Sequence, residues 1–226
     1  YGINRISIGL QSPENQELRA LGRIHNYQQF LESYHMAREA GFSNINIDLM
    51  FAIPGQSYEG WIQNLRTVAK LGPEHISAYS LIIEEGTPFS ARKLDLPDED
   101  TEYRMYEDVA AVLGKYGYYQ YEISNYAKKD RNCRHNEGYW QRKDYLGLGL
   151  GAASLVGRER FTNTSDMSEY LENSGNLEKI RTDRETLTRE DEMGEFMFLG
   201  LRMTKGVLKK DFQEYFGTSI EKIYGE

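Results

Sequence analysis

The sequence predicts an α/β fold of consecutive βα units, followed by additional strands and a smaller helical C-terminal segment. Three observations lead there. In the first part of the chain one order recurs: a β-rich run, a polar or Gly/Pro turn, then a segment of helical periodicity. Two of the β-rich runs are apolar enough to be buried on both faces, as strands of a covered parallel sheet are. From about Gly175 onward the chain is densely charged and mostly helical in pattern.

The elements follow in order. Residues 3–10 alternate Ile6, Ile8 and Leu10 with small or polar residues, and residues 45–53 and 76–83 form the two strongly apolar runs. Between them, residues 28–40 place Phe30, Tyr34 and Ala37 on one helical face before Gly41, and residues 61–71 stop at Gly72-Pro73. Both read as crossover helices between parallel strands, in an open sheet or a barrel.

After Pro88 the pattern changes. Residues 100–116 form an amphipathic helix presenting Tyr103, Tyr106, Val109, Ala110 and Leu113 to a core, and residues 118–123 a further strand. Residues 125–136 read as a polar loop and 146–154 as a Gly-rich run. Residues 189–201 and 207–216 are predicted helices. The expected division is 1–95, 96–172 and 173–226.

Composition excludes some functions. The 226 residues are 39% hydrophobic and 12% aromatic, which argues for a packed core. The net charge of −8 repels phosphate backbones, so nucleic acid is not an expected partner. A local cluster, Asp95, Asp98, Glu99, Asp100 and Glu102, reads as a solvated loop feeding a helix N-terminus. The single cysteine, Cys133, excludes an internal disulfide framework and suggests the cytoplasm. No apolar run reaches the roughly 20 residues that span a bilayer. The chain begins at Tyr1 without an initiator Met, which leaves a targeting peptide upstream open.

In parallel α/β folds, ligands gather at the C-terminal ends of strands. Gln11 ends the first strand, Arg23 lies in the loop beyond it, and Asp48 interrupts the second apolar run. A carboxylate between Ile47 and Leu49 needs a partner or a ligand, and the sequence leaves a structural ion pair and a binding role equally open. Gln11 by itself suits a turn, and Arg23 a solvated loop. As a set, amide, guanidinium and carboxylate suit a zwitterionic ligand that carries a sugar.

A second constellation runs Cys133-Arg-His135-Asn-Glu-Gly-Tyr139-Trp140. His135 beside flat aromatic rings could offer an axial nitrogen to a porphyrin iron, or could be a surface histidine in an anchored loop. Cys133 and His135 make a poor metal pair, since no second pair stands at suitable spacing. The run Gly147, Gly149, Gly151 lacks the order of a phosphate loop and suits close backbone packing.

The strings around Gln11, Arg23 and Asp48, with Ile53-Pro-Gly-Gln56 and His75-Ile-Ser-Ala-Tyr-Ser-Leu, resemble the oxygen-independent coproporphyrinogen III oxidase group of radical S-adenosylmethionine (SAM) proteins. Glu122-Ile-Ser-Asn-Tyr126 and His135-Asn-Glu-Gly-Tyr139-Trp140 resemble the HemW branch, whose HNxxYW signature the oxidase lacks. Glu195-Phe-Met-Phe-Leu-Gly-Leu-Arg202 extends the likeness toward the C-terminus.

The resemblance implies the last three βα units of a partial (β/α)6 radical SAM barrel, family-specific strands and a helical C-terminal domain. It implies SAM contacts at Gln11, Arg23, Asp48 and Ile82, and haem at His135. The family's CxxxCxxC loop for a 4Fe–4S cluster is expected upstream of Tyr1, and Cys133 does not replace it. The implied function is a haem chaperone that binds haem and SAM in its full-length form, with respiratory haem proteins as acceptors. The alternative is an oxidase converting coproporphyrinogen III, or a binding module without chemistry. Without the cysteine cluster, whether the chain is an enzyme is left undecided.

Overall fold

The structure is a computed structural model that describes residues 2–87 and 89–225, so Pro88, where the sequence pattern changes, lies outside the described residues. The chain forms two compact units, Tyr1–Asn132 and Cys133–Glu226.

In the first unit, strands β1 (Ile6–Gln11), β2 (Ile45–Phe51) and β3 (His75–Ser80) are parallel neighbours, as expected of crossover units. Helices α1 (Asn15–Ala20) and α2 (Tyr27–Glu39) link β1 to β2, and α3 (Tyr58–Leu71) links β2 to β3. Each long helix starts where the sequence supplies a cap. Asn26 and Gln29 form a capping box on α2, and Ser57 accepts from Gly60 N on α3. Helix α3 stops at Gly72, whose left-handed φ of 74° suits a residue without Cβ.

Helix α4 (Glu99–Gly114) is capped by Asp98 and carries Glu99, Asp100 and Glu102 in its first turn, where the helix dipole favours negative charge. The acidic cluster is thus a helix start. The buried stripe of α4 is Met105, Val109, Val112 and Leu113, while Tyr103 and Ala110 are exposed, which shifts the expected face by part of a turn. Strand β4 (Tyr119–Glu122) follows. Part of the expected loop at 125–136 is a strand instead, β5 (Asn125–Ala127), antiparallel to both β3 and β4. Three residues are too few to show periodicity, and only the neighbouring strand edges reveal them.

One face of this sheet is the core. Ile45, Ile47, Leu49 and Phe51 alternate along β2 and meet Trp61, Leu65 and Val68 of α3 and Met105 and Val109 of α4. Trp61 is fully buried and its indole donates to Met105 O at 2.9 Å. Arg38 of α2 forks onto Glu74 at 2.8 and 3.2 Å, and Glu74 also accepts Ile45 N, tying α2 to the start of β2. No residue of β2 is exposed, as expected of a covered strand, but its two faces differ in character. The opposite face carries Asn46 and Asp48.

The second unit contains α5 (Arg134–Trp140), β6 (Ala153–Val156), β7 (Glu159–Asn163), α6 (Met167–Asn173), α7 (Leu177–Ile180) and β8 (Arg181–Thr186), then α8 (Arg189–Gly200), α9 (Lys209–Phe216) and α10 (Ile220–Tyr224). Strands β6, β7 and β8 make an antiparallel sheet in chain order. Strand β8 lies in a stretch whose charge reads as helical. It is a mostly exposed edge strand held by its ladder to β7, so it needs no apolar alternation. Helices α8 and α9 fall where the sequence predicts them, and Met193, Phe212 and Phe216 pack between them.

Candidate functional site

Two places carry the sequence-predicted residues. In the first unit, strand period and register bring polar side chains from separate segments onto the face opposite the core. Ser7, Asn46 and His75 are register partners across β1, β2 and β3, and Gly9, Asp48 and Ser77 form the next row.

Asn46 organises this face. Its Nδ2 donates to Asp48 Oδ1 at 2.7 Å and to Ser7 Oγ at 3.2 Å, while its Oδ1 accepts from Ser77 Oγ at 3.1 Å and from His75 Nδ1 at 2.6 Å. Since the carboxylate of Asp48 only accepts, the Asn46 amide must turn its nitrogen that way, so the proton of His75 sits on Nδ1. His75 Nε2 then accepts from Tyr121 OH at 2.8 Å. Burial first, and then the charge of Arg5, lower the His75 pKa from 6.5 to about 3, and the ring stays neutral. Asp48 is thus partnered by an amide that is itself held from behind. His75 and Ser77 fall in the His75-Ile-Ser-Ala-Tyr-Ser-Leu string noted in the sequence, but Asn46 and Tyr121 were not singled out, although polar residues alternating through an apolar run were the available signal.

Gln11 has φ 70° at a register shift in β1, and its amide lies over Gly9, where an added Cβ would meet Gln11 Nε2 at 2.9 Å. Gly9 is the register partner of Asp48, so although Gln11 itself is paired with Leu49 across the register shift, its amide lies over the residue beside Asp48. Arg23 is exposed in the turn after α1. That turn is linked to the end of β1 by His25 Nε2 and Leu10 O, 3.3 Å apart. Ile82 follows β3 and is 78% exposed, next to Leu81, whose N–H donates to Phe51 O. Gln11, Arg23 and Ile82 therefore lie at or beyond the C-terminal ends of the parallel strands, with Asp48 one turn of the pleat inside. Behind that edge, Glu17 Oε2 accepts from Ser12 Oγ, Gln56 Nε2 and Asn64 Nδ2 at 2.5, 2.9 and 2.8 Å, which explains Gln56 as a loop anchor.

In the second unit, His135 and Tyr139 lie one helical turn apart on α5, with ring centroids 4.6 Å apart in an edge-on arrangement. Tyr139 meets Tyr145 in the same manner at 4.7 Å. These three rings line a cleft of about 810 Å³ together with Leu146, Leu148, Leu155, Phe198 and Leu199. Its size and apolar walls are those of a small-molecule or cofactor site.

The polar side of the cleft is an ion cluster. Arg142, whose side chain is 2% exposed, pairs with Glu192 at 3.3 Å and Glu195 at 2.9 Å. Arg160 pairs with Glu195 and stands 3.8 Å from Glu185. Burial works against the Arg160 charge, but its hydrogen bond to Glu195 and the negative charges around it prevail and raise its pKa. Trp140, beneath the guanidinium of Arg202 at 4.3 Å, is the neighbouring aromatic of the motif. The Gly-rich run forms part of the cleft wall. At Gly147 an added Cβ would lie 2.3 Å from Ala153 O, so close backbone approach requires glycine there.

The residues present do not fit a 4Fe–4S cluster. Cys133 is the one thiol of the chain and is buried, and among the described residues no group of three or more His, Cys, Asp or Glu could hold a metal ion. No helix among the described residues is long and apolar enough to cross a membrane.

With this geometry in place, comparison with known proteins is specific. The radical SAM superfamily matches residues 1–68, and the HemN C-terminal domain matches residues 187–226. The fold is that of the solved coproporphyrinogen III oxidase (HemN) from Escherichia coli, with a TM-score of 0.82 at 22% identity, covering 100% of this chain and 55% of that one. The class is therefore a HemN-type radical SAM protein, represented by a partial barrel and further elements. Heme chaperone HemW of Bacillus subtilis is 38% identical over 227 residues, covering 99% of this chain and 60% of the relative. HemW of Lactococcus lactis is also 38% identical, over 228 residues, with 99% and 60% covered, and HemW of Escherichia coli is 43% identical over 155 residues, with 69% and 41% covered. The chain belongs to the HemW family. It spans about 60% of the length of the relatives from Bacillus and Lactococcus.

Proposed function

We propose that this chain is part of a haem-handling protein of the HemW kind, which takes up haem at the His135 cleft and delivers it to acceptor haem proteins, respiratory ones among them. The observation that carries the reading is the cleft itself: an imidazole on α5, edge-on aromatic rings and aliphatic walls enclosing about 810 Å³. Such walls exclude water from a flat apolar macrocycle while His135 offers a nitrogen to its iron. The oxidase reading has less support, because the likeness to HemN at 22% identity speaks for the fold alone.

On the barrel side we assign SAM to Gln11, Arg23, Asp48 and Ile82. Asp48 would accept from hydroxyls, Arg23 would fork onto a carboxylate, and Ile82 would cover an apolar ring face. SAM supplies a sulfonium that is reductively cleavable when a 4Fe–4S cluster is beside it, and the chain's own residues provide only the binding contacts. A single cysteine, without an internal disulfide framework, suits a cytoplasmic setting.

The experiment is a titration of ferric haem into the wild type and His135→Ala, followed in the Soret band. A saturable spectral change weakened by about tenfold or more in the variant is expected for loss of an axial ligand. Equal binding by both would remove His135 from the site. For the barrel side, SAM binding retained by both Asp48→Ala and Arg23→Ala in the full-length protein would overturn the SAM assignment.

A further inference from the structure

Two cations line the His135 cleft among the described residues, Arg142 and Arg160, and they differ in a way the haem reading does not address. Arg142 is sealed: its Nη1 and Nε engage Glu192 and Glu195, and its side chain is 2% exposed. Arg160 sits at the rim on β7 with 38% of its side chain exposed. Its Nη2 is bound to Glu195, which it shares with Arg142, while its Nη1 faces Glu185 at 3.8 Å, beyond direct hydrogen-bond reach. Glu185 lies on edge strand β8 and is itself 58% exposed. Arg142 Nη2 is buried without an acceptor, so the cluster is short of acceptors rather than of donors.

We propose that Arg160 is a carboxylate anchor of this cleft, taking a propionate of the porphyrin on its Nη1 edge in place of the distant Glu185. The proposal rests on the haem reading above and adds an orientation to it. With an apolar floor and one accessible guanidinium at the rim, a macrocycle bearing carboxylates on one side enters with that side toward β7. Glu195 holds the guanidinium through Nη2, which leaves the Nη1 edge open to a planar anion. Glu185, exposed and too far for a hydrogen bond, competes weakly, as surface ion pairs do. The class of ligand assigned to this subsite is an amphipathic macrocycle with peripheral carboxylates.

The test uses ferric haem and its dimethyl ester, which keeps ring and iron and masks both propionates. Wild-type protein is expected to bind haem about tenfold more tightly than the ester, the worth of one charge-assisted pair. In Arg160→Gln that preference disappears while ester affinity stays unchanged. Glu185→Gln, which removes only the exposed competitor and spares the Glu195 contact, should strengthen haem binding and leave ester binding alone. A wild type indifferent to esterification, or an Arg160→Gln variant that keeps the full preference, overturns the anchor while leaving His135 binding intact. Failure of wild type to bind either compound overturns the haem reading and the anchor together. If Arg160→Gln loses ester binding as well, its role is structural, and an unchanged haem-to-ester ratio in Glu185→Gln then overturns the anchor.

Discussion

His75 and Asn46 are register partners on adjacent parallel strands, and the imidazole Nδ1 donates to the amide Oδ1 at 2.6 Å. The same amide donates to Asp48 from its other end, and Tyr121 donates to the far side of the imidazole. The order Tyr121, His75, Asn46, Asp48 is a directed chain in which each proton position is set by its neighbour. It places the best candidate binding carboxylate of the first unit at the end of a buried scaffold.

This scaffold makes stability depend on pH in a defined direction. The His75 pKa is lowered to about 3 in the folded protein and returns toward 6.5 on unfolding. Between those values the unfolded chain binds a proton that the folded chain refuses. The contribution is therefore complete above about pH 6.5 and falls by up to ~1.4 kcal/mol per pH unit as pH drops. In urea denaturation, the stability advantage of wild type over His75→Gln should shrink from pH 7 to pH 4. A difference that stays flat across that range would show that His75 is not buried neutral.

Trp61 joins three elements, stacking obliquely on Phe51 of β2 with centroids 5.3 Å apart and donating to Met105 O on α4. Trp61→Ala should cost about 3–5 kcal/mol, and Trp61→Phe clearly less, because most of the ring volume is retained. Chemical denaturation monitored by circular dichroism measures both. Equal losses would place the weight on the indole hydrogen bond instead of the packing.

Arg142 is the buried cation between Glu192 and Glu195, in a backbone conformation with φ 51°. Arg142→Met should destabilise the chain by about 3–5 kcal/mol, since two largely buried carboxylates lose a partner. In a double-mutant cycle with Glu195→Gln, the second change should cost much less than it does alone. Additive losses would mean the two side chains do not act as a pair.

Gly147→Ala forces a Cβ against the backbone oxygen of Ala153 and should displace the Gly-rich wall of the cleft. Haem titration should then weaken, while the first unit keeps its amide protection in hydrogen exchange. Gly138→Ala is the control. It sits on α5 with nothing within 4 Å of the added Cβ, and alanine should favour the helix by about 0.5–1 kcal/mol. A Gly147→Ala protein that binds haem as wild type does would show that the wall tolerates the shift.

Much of this was legible in local pattern. The parallel order of β1, β2 and β3 follows from crossover helices whose apolar faces and caps are written in consecutive residues, and α8 and α9 were visible for the same reason. His135, Tyr139 and Trp140 sit within one short helix, so their grouping is a property of helical spacing. Strands β5 and β8 were not legible. One is too short to have a period, and the other is an edge strand whose charged residues face water on both sides.

The sequence by itself determined the βα order, most helix starts and stops, and the candidate residues Gln11, Arg23, Asp48 and His135, with Ile82 added by the resemblance. Only the tertiary structure decided the long-range pairs around them. Asn46 and His75 are 29 positions apart and Arg142 and Glu195 are 53 apart. No periodicity spans such distances. These pairs are made by strand register and by helix and sheet packing in three dimensions, where burial turns a polar side chain with a partner into an asset and one without into a cost.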